Sequence, residues 1–187
     1  RTVHRHPMPI MGGIAIFAAF TVTVLHRAGL GRDLLGPLVG STIVFAVGVR
    51  DDIRDLSPLP KFIGQIAAAA AAIYLGVQIE FVTNPFGPGM IYLGAWGVPI
   101  TFLWLLGMTN VVNFLDGLDG LAAGVSSIAA IALFVVAAAR GQAFVAILAA
   151  ALAGSAIGFL PYNFNPATIF MGDAGAMFLG FGLAVIS

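Results

Sequence analysis

The chain has 187 residues, of which 60% are hydrophobic and 9% charged, and its eight basic and eight acidic side chains cancel. Soluble domains carry about 25% charged residues, so water is the wrong solvent for most of this surface, and a neutral chain offers nucleic acid no electrostatic footing. With no cysteine present, disulfides and thiolate metal sites are excluded.

Taken in chain order, seven apolar runs cover residues 10–25, 34–49, 62–79, 97–115, 121–139, 143–160 and 174–187. A helix that crosses a bilayer needs about 20 mostly apolar residues, and the alanine and glycine in these runs allow helices to approach closely in lipid. The alternative is a buried soluble bundle, but residues 81–115 and 141–172 hold no formal charge and would make poor solvated surface. The expected fold is all-α: a polytopic transmembrane bundle of about seven helices, forming one integral-membrane domain over residues 1–187. Between the third and fourth runs, the turn-rich Asn84-Pro85-Phe86-Gly87-Pro88-Gly89 lies between β-prone stretches, which predicts a small external β-hairpin. The chain opens on Arg1 and stops at Ser187 inside an apolar run, so both ends read as truncated, and no signal peptide is visible.

Strict alternation places residues 1–9, 50–61, 116–120 and 161–173 on one side of the membrane. Residues 26–33, 80–96 and 140–142 fall on the other. The first side holds Arg1, Arg5, Arg50, Arg54 and Lys61, against Arg27, Arg32 and Arg140 opposite, which makes it the cytoplasmic side. The acids segregate further: Asp51, Asp52, Asp55, Asp116, Asp119 and Asp173 share that side, leaving Asp33 and Glu80 elsewhere. An aspartate at mid-bilayer costs roughly 2.5–3.5 kcal/mol even on the lenient insertion scale, so these six belong at helix ends around a wet cavity.

Four segments on that side carry chemistry. Arg50-Asp51-Asp52-Ile53-Arg54-Asp55-Leu56-Ser57-Pro58-Leu59-Pro60-Lys61 pairs adjacent carboxylates; such oxygen-rich sites suit Mg²⁺, although a solvated loop would carry the same charges. In Asn110-Val-Val-Asn113-Phe-Leu-Asp116-Gly-Leu-Asp119-Gly120, two amides and two carboxylates end an apolar helix. Asn113 and Asp116 share a helix face, while the Asp-Gly pairs also read as turns. Asn163-Phe-Asn165-Pro-Ala-Thr-Ile-Phe170-Met-Gly172-Asp173 leads into the last run; Asp173 is a candidate metal ligand or helix N-cap, and Phe170 a surface for a base or a core residue. His4-Arg5-His6-Pro7-Met8-Pro9-Ile10-Met11-Gly12-Gly13 enters the first run, either as a phosphate-binding helix start or as membrane-entry punctuation.

Together these motifs resemble the polyprenyl-phosphate N-acetylhexosamine-1-phosphate transferase family. VHRHPMPIMGG, RDDIRDLSPLPKFIGQ, NVVNFLDGLDGLAAG and NPATIFMGDAGAMFLG occur in that family's order with similar spacing, and the likeness extends over essentially the whole chain. The opening, DDIRDLSP and NFLDGLDG are similar to the branch that uses UDP-GlcNAc, with Ile10 standing where that branch commonly has arginine. The family's first helices and its later histidine-rich loop have no counterpart here, so the resemblance implies an incomplete enzyme.

The resemblance implies transfer of an N-acetylhexosamine-1-phosphate, most simply GlcNAc-1-phosphate, from a UDP-sugar to polyprenyl phosphate at a bacterial inner membrane, with Mg²⁺ (or Mn²⁺) as cofactor. It makes Asp51, Asp52 and Asp116 catalytic, and Asn113, Asp116 and Asp173 metal ligands. Lys61, Asn110, Asp119, Asn163 and Phe170 become substrate contacts, with Phe170 at the uracil and Lys61 near the phosphates. The partners are the UDP-sugar, the lipid phosphate and the bilayer, and the family admits a homodimer. Two rivals remain: an intramembrane prenyltransferase, in which Asp51-Asp52-x-x-Asp55 reads as DDxxD, and an ion-coupled transporter with acids in broken helices.

Overall fold

In the computed structural model, which describes residues 9–28 and 31–187, the apolar runs fold into seven α-helices among the described residues. They are α1 (Gly12–Ala28), α2 (Arg32–Arg54), α3 (Pro58–Tyr74), α4 (Gly97–Leu115), α5 (Leu121–Ala139), α6 (Ala143–Asn163) and α7 (Gly172–Ile186). Strands β1 (Phe81–Thr83) and β2 (Met90–Tyr92) form the expected antiparallel hairpin, with Phe81 opposite Tyr92 and Thr83 opposite Met90. A 3₁₀ turn at Gly94–Trp96 leads into α4. Arg1, Arg5 and the His4–Met8 part of the first motif lie outside the described residues.

The protein is a multi-pass membrane protein, but its helices are unequal. α2, α4 with its 3₁₀ turn, α5 and α6 run 19–23 residues and are long and apolar enough to cross a bilayer, whereas α1 and α7 are shorter apolar helices. The seven helices expected from the sequence are all present, and four of them reach full crossing length among the described residues. At 1.5 Å per residue, the 15 residues of α7 reach about 22 Å, short of the roughly 30 Å hydrocarbon core. That length fits its position. α7 packs against α1, α2, α4, α5 and α6, and nearly all of its residues are buried, so protein surrounds it instead of lipid.

Two apolar cores meet on α7. Phe178, Leu179 and Leu183 join Ile16, Phe20, Leu148 and Leu152 of α1 and α6, and Phe178 meets the rings of Phe17 and Phe20 edge-on at 5.2 and 5.3 Å. From its other face, Met177, Phe181 and Ala184 join Val44, Ala69, Ala72 and Leu105 of α2, α3 and α4. Close approach is the condition for this arrangement. A β-carbon on Gly48 of α2 would run into the backbone of Ala174.

Strict alternation is observed. The N-termini of α1, α3, α5 and α7 and the C-termini of α2, α4 and α6 gather at one end, tied by hydrogen bonds between them. At the other end, Ile79 N–H donates to Thr101 Oγ1 at 2.8 Å and Trp104 Nε1 to Ser187 Oγ at 2.9 Å.

Candidate active site

Hydropathy places the end of α2 at Val49, but the helix runs on through Arg50, Asp51 and Asp52 to Arg54. The two aspartates thus stand on the last helical turn, not in a loop. Neighbours on a helix point about 100° apart, and each serves a different partner. Asp52 faces α7: its Oδ1 accepts from the Asp173 N–H at 2.7 Å and its Oδ2 from the Ala174 N–H at 3.1 Å. These are donors that a helix start leaves without intrahelical partners, and a carboxylate also complements the positive end of the helix dipole. Asp173 is therefore not the N-cap of α7. It lies within the first turn, and Asp52 supplies the capping carboxylate from another helix. Gly172 makes room for this, since its φ of +71° suits glycine and a β-carbon there would lie 2.6 Å from Asp52 Oδ2.

Asp51 turns toward α3. Its Oδ1 accepts from the Leu56 N–H and its Oδ2 from Lys61 Nζ, both at 2.8 Å. Asp55 then ends α2 in a left-handed conformation (φ 44°, ψ 76°), and proline at the first position of α3 starts the next helix, where its missing N–H costs nothing. Lys61, one turn into α3, bridges two carboxylates, reaching Asp173 Oδ2 as well at 2.8 Å. From α4, Asn113 Nδ2 donates to Asp173 Oδ1 at 2.6 Å. Four helices thus meet through one cluster of three carboxylates and a single ammonium, which bridges two of them. Asp51 is nearly buried, with 9% of its side chain accessible, against 30% for Asp173, so the cluster opens outward at Asp173.

Beside it is a second polar set. Buried Asn163, in the last turn of α6, accepts from the Gly120 N–H at 3.2 Å and donates to the Ile169 carbonyl at 3.1 Å. Asp119 Oδ2 accepts from the Ala167 N–H at 3.1 Å and from Asn165 Nδ2 at 3.3 Å. The half-buried Phe170 ties this connection to α1: its N–H donates to the Pro9 carbonyl, and its carbonyl accepts from the Gly12 N–H. The glycine-rich start of α1 therefore spends the amides of Gly12 and Gly13 on the Phe170 and Met171 carbonyls, at 3.0 and 2.9 Å.

The family model for glycosyl transferase family 4 matches residues 34–187, from α2 to the end of the chain. The chain belongs to glycosyl transferase family 4. It is 39% identical over its whole length to a probable undecaprenyl-phosphate N-acetylglucosaminyl 1-phosphate transferase of Bacillus subtilis, covering 52% of that protein. It is 38% identical, again over its whole length, to a decaprenyl-phosphate N-acetylglucosaminephosphotransferase of Mycobacterium tuberculosis, covering 51% of it. A phospho-N-acetylmuramoyl-pentapeptide-transferase of Lactiplantibacillus plantarum is 35% identical over 96% of the chain and 60% of that relative. The chain thus spans about half the length of the curated relatives it matches most strongly.

In this glycosyl transferase family 4 chain, five of the residues singled out from sequence — Asp51, Asp52, Lys61, Asn113 and Asp173 — are joined directly. Asp119 and Asn163 instead pin the α6–α7 connection, and half-buried Asp116 caps the C-terminus of α4, its N–H directed at the Asn113 carbonyl. Asp55 is exposed beyond the helix end, which leaves the DDxxD pattern without its third carboxylate in the cluster. Asn110 lies one turn deeper, where its Nδ2 donates to Gln65 Oε1 at 2.7 Å and its Oδ1 accepts from Gln65 Nε2 at 3.3 Å. The sequence reading passed over Gln65, which is 2% exposed. The signal was present: it is the first of two amides in the apolar run 62–79, four residues after Lys61, and buried amides in lipid need partners on other helices.

The donor set suits a hard divalent cation, being made of carboxylate and amide oxygens. Asp51 and Asp173 converge on one cationic point, held here by the Lys61 ammonium. Among the described residues, no three His, Asp or Glu side chains are arranged around a metal position. Carboxylate and amide oxygens are of the kind that suits Mg²⁺, and Lys61 stands between Asp51 and Asp173.

Proposed function

We propose that the protein moves an N-acetylhexosamine-1-phosphate, with GlcNAc-1-phosphate the first candidate, from a UDP-sugar to a polyprenyl phosphate such as undecaprenyl phosphate. UMP is released, and a cell-wall or surface glycan is begun. The observation that carries this reading is the Asp51–Lys61–Asp173–Asn113 cluster at one end of an apolar bundle, where a water-borne diphosphate and a lipid-borne phosphate can meet. Family membership supports it, as do the bacterial relatives whose names describe polyprenyl-phosphate sugar transfer. The polar end would face the cytoplasm of an inner membrane, in keeping with the excess of basic residues on that side.

A phosphate monoester has a second pKa near 6, so the acceptor is largely dianionic at neutral pH. The obstacle is repulsion between two anions more than lack of a base. In the proposed step, an oxygen of the lipid phosphate attacks the phosphorus nearest the sugar, and the bond from that phosphorus to the bridging oxygen breaks. UMP departs with the bridging oxygen. Lys61 would swing its ammonium from Asp51 and Asp173 to the diphosphate, which frees one carboxylate oxygen on each. Asp51 would then orient the acceptor phosphate and strip its water. Asp52, with both oxygens on α7 amides, holds the N-terminus that presents Asp173. Asp173 and Asn113, with Asp116 beside them, would hold Mg²⁺, which supplies charge neutralisation to the diphosphate as in other phosphoryl transfers. Phe170 would stack on the uracil.

The test is UMP release by the intact protein in vesicles containing undecaprenyl phosphate, with radiolabelled UDP-GlcNAc and UDP-GalNAc offered separately, with Mg²⁺ and with EDTA. Label passing into the lipid with equimolar UMP, and only with Mg²⁺ present, is expected. Release of free sugar phosphate without labelled lipid, or transfer unaffected by EDTA, would overturn the reading.

A further inference from the structure

The end of the bundle remote from the carboxylates carries a feature that the proposed transfer does not use. Neither β1 nor β2 packs substantially on any helix, and all six strand residues are exposed. An isolated two-stranded hairpin is marginal in water. This one is nonetheless well formed: Leu93 N–H donates to the Glu80 carbonyl at 2.9 Å, Asn84 N–H to the Gly89 carbonyl at 3.1 Å, and Asn84 Oδ1 accepts from the Phe86 N–H at 2.9 Å. Its side chains are also wrong for water. Phe81, Met90 and Tyr92 are 51%, 65% and 67% accessible, and Phe86 at the tip is 95% accessible. From Phe81 to Leu115 there is no formal charge.

Its position specifies what covers it. The Ile79–Thr101 hydrogen bond fastens the hairpin's base to the first turns of α4, so it cannot stand far from the helix ends. Tyr74, at the end of α3, and Trp96, just before α4, flank it and are 89% and 72% accessible. Tyrosine and tryptophan at helix ends, with apolar rings and polar tips, mark the membrane–water boundary. Exposed apolar side chains carry on into α4, where Val98 and Leu103 are 45% and 70% accessible. The unpaired backbone groups along the hairpin's two edges forbid the hydrocarbon core, where they would find no partners. Headgroups satisfy both demands.

We propose that the β1–β2 hairpin lies in the headgroup layer of the leaflet opposite the carboxylate cluster, as a plate anchored by Phe86, Met90 and Tyr92. The chain has no cysteine, so a single cysteine can be introduced at will; any outside residues 1–187 is replaced by serine. Phe86→Cys and, separately, Met90→Cys are labelled with an environment-sensitive nitrobenzoxadiazole dye, and Arg140→Cys, exposed at the same end, is the reference. The intact protein is reconstituted in phosphatidylethanolamine–phosphatidylglycerol vesicles, and quenching by aqueous iodide is compared with quenching by lipids spin-labelled near the headgroup or deep in the chain. Both hairpin labels are expected to be quenched at least threefold less by iodide than the reference, and more by the shallow lipid label than by the deep one. Iodide quenching equal to the reference would place the hairpin in water. Protection from iodide and both lipid labels would mean that protein covers it, a second copy included, and stronger deep quenching would put it in the core. Any of these three results overturns the proposal, and none depends on transferase activity.

Discussion

Two polar clusters close the same end of the bundle, and they are built differently. Around Asp173 every contact involves a carboxylate, with Lys61 shared by two of them and the site partly open to solvent. Around Asn163 the contacts run from side chain to backbone, and the organising amide is buried. The first set can exchange partners when an anion arrives. The second cannot do so without undoing the connection that carries Phe170 and Asp173 into place. One cluster is suited to chemistry and the other to holding its frame.

The sharpest way to break this comparison is Asp173→Asn. Turnover in the vesicle assay is expected to fall by about 10²–10³, the scale of losing one well-placed electrostatic group, while size-exclusion profile and melting temperature stay near those of the parent. Unchanged turnover would remove Asp173 from the chemistry. Asn163→Ala should show the reverse pattern. Leaving the Gly120 N–H and Ile169 carbonyl without their partner is expected to cost about 1–3 kcal/mol of stability, seen as a lower melting temperature, while turnover per folded molecule at low temperature stays within about threefold. A large rate loss with an unchanged melting temperature would erase the distinction between the clusters.

Phe170→Ala belongs between these cases. If the ring stacks on uracil, KM for the UDP-sugar should rise roughly tenfold, within the 1–3 kcal/mol range of base stacking, with kcat little changed; a fall in melting temperature with constant KM would return Phe170 to packing. The smallest effect is expected from Gln65→Leu, which removes the side-chain partner of Asn110 and leaves its bond to the Leu106 carbonyl. In membranes such amide pairs average about 0.6 kcal/mol, so stability should drop slightly. A drop beyond 2 kcal/mol would make the Gln65–Asn110 pair, and not the apolar core shared by α3 and α4, the main tie between those helices.

Much of this architecture was legible in the sequence because hydropathy and charge segregation are long-range signals. The apolar runs, the hairpin around Asn84-Pro85-Phe86-Gly87 and the gathering of aspartates at one end needed no knowledge of contacts. What escaped was set by partners distant in sequence. Residues 50–54 read as a loop because four of the five are charged beyond an apolar run, yet the helix continues, with Asp51 and Asp52 bonded to α3 and α7. Pro58 and Pro60 read as linker, although proline fits a helix's first turn. At the other end of α3, residues 75–79 stay mostly apolar after the helix has stopped at Tyr74, and hydropathy does not register the difference. For Asp173 the sequence left the N-cap open beside the metal-ligand reading, because local sequence could not reveal that Asp52 supplies the capping carboxylate.

The central place of α7 also sets an order of assembly. Synthesis delivers α1 to α6 first, and until α7 arrives both apolar cores lack their common wall. Asp51 and Lys61 can already meet, since ten residues of chain separate them, whereas Asp52 and Asn113 wait for groups that α7 alone provides. The polar cluster therefore forms in the same event that closes the bundle. A biosynthetic intermediate lacking α7 would expose grooves on two sides and leave Asn113 and Asp52 unsatisfied, which are the features by which membrane quality control distinguishes an unfinished protein from a finished one.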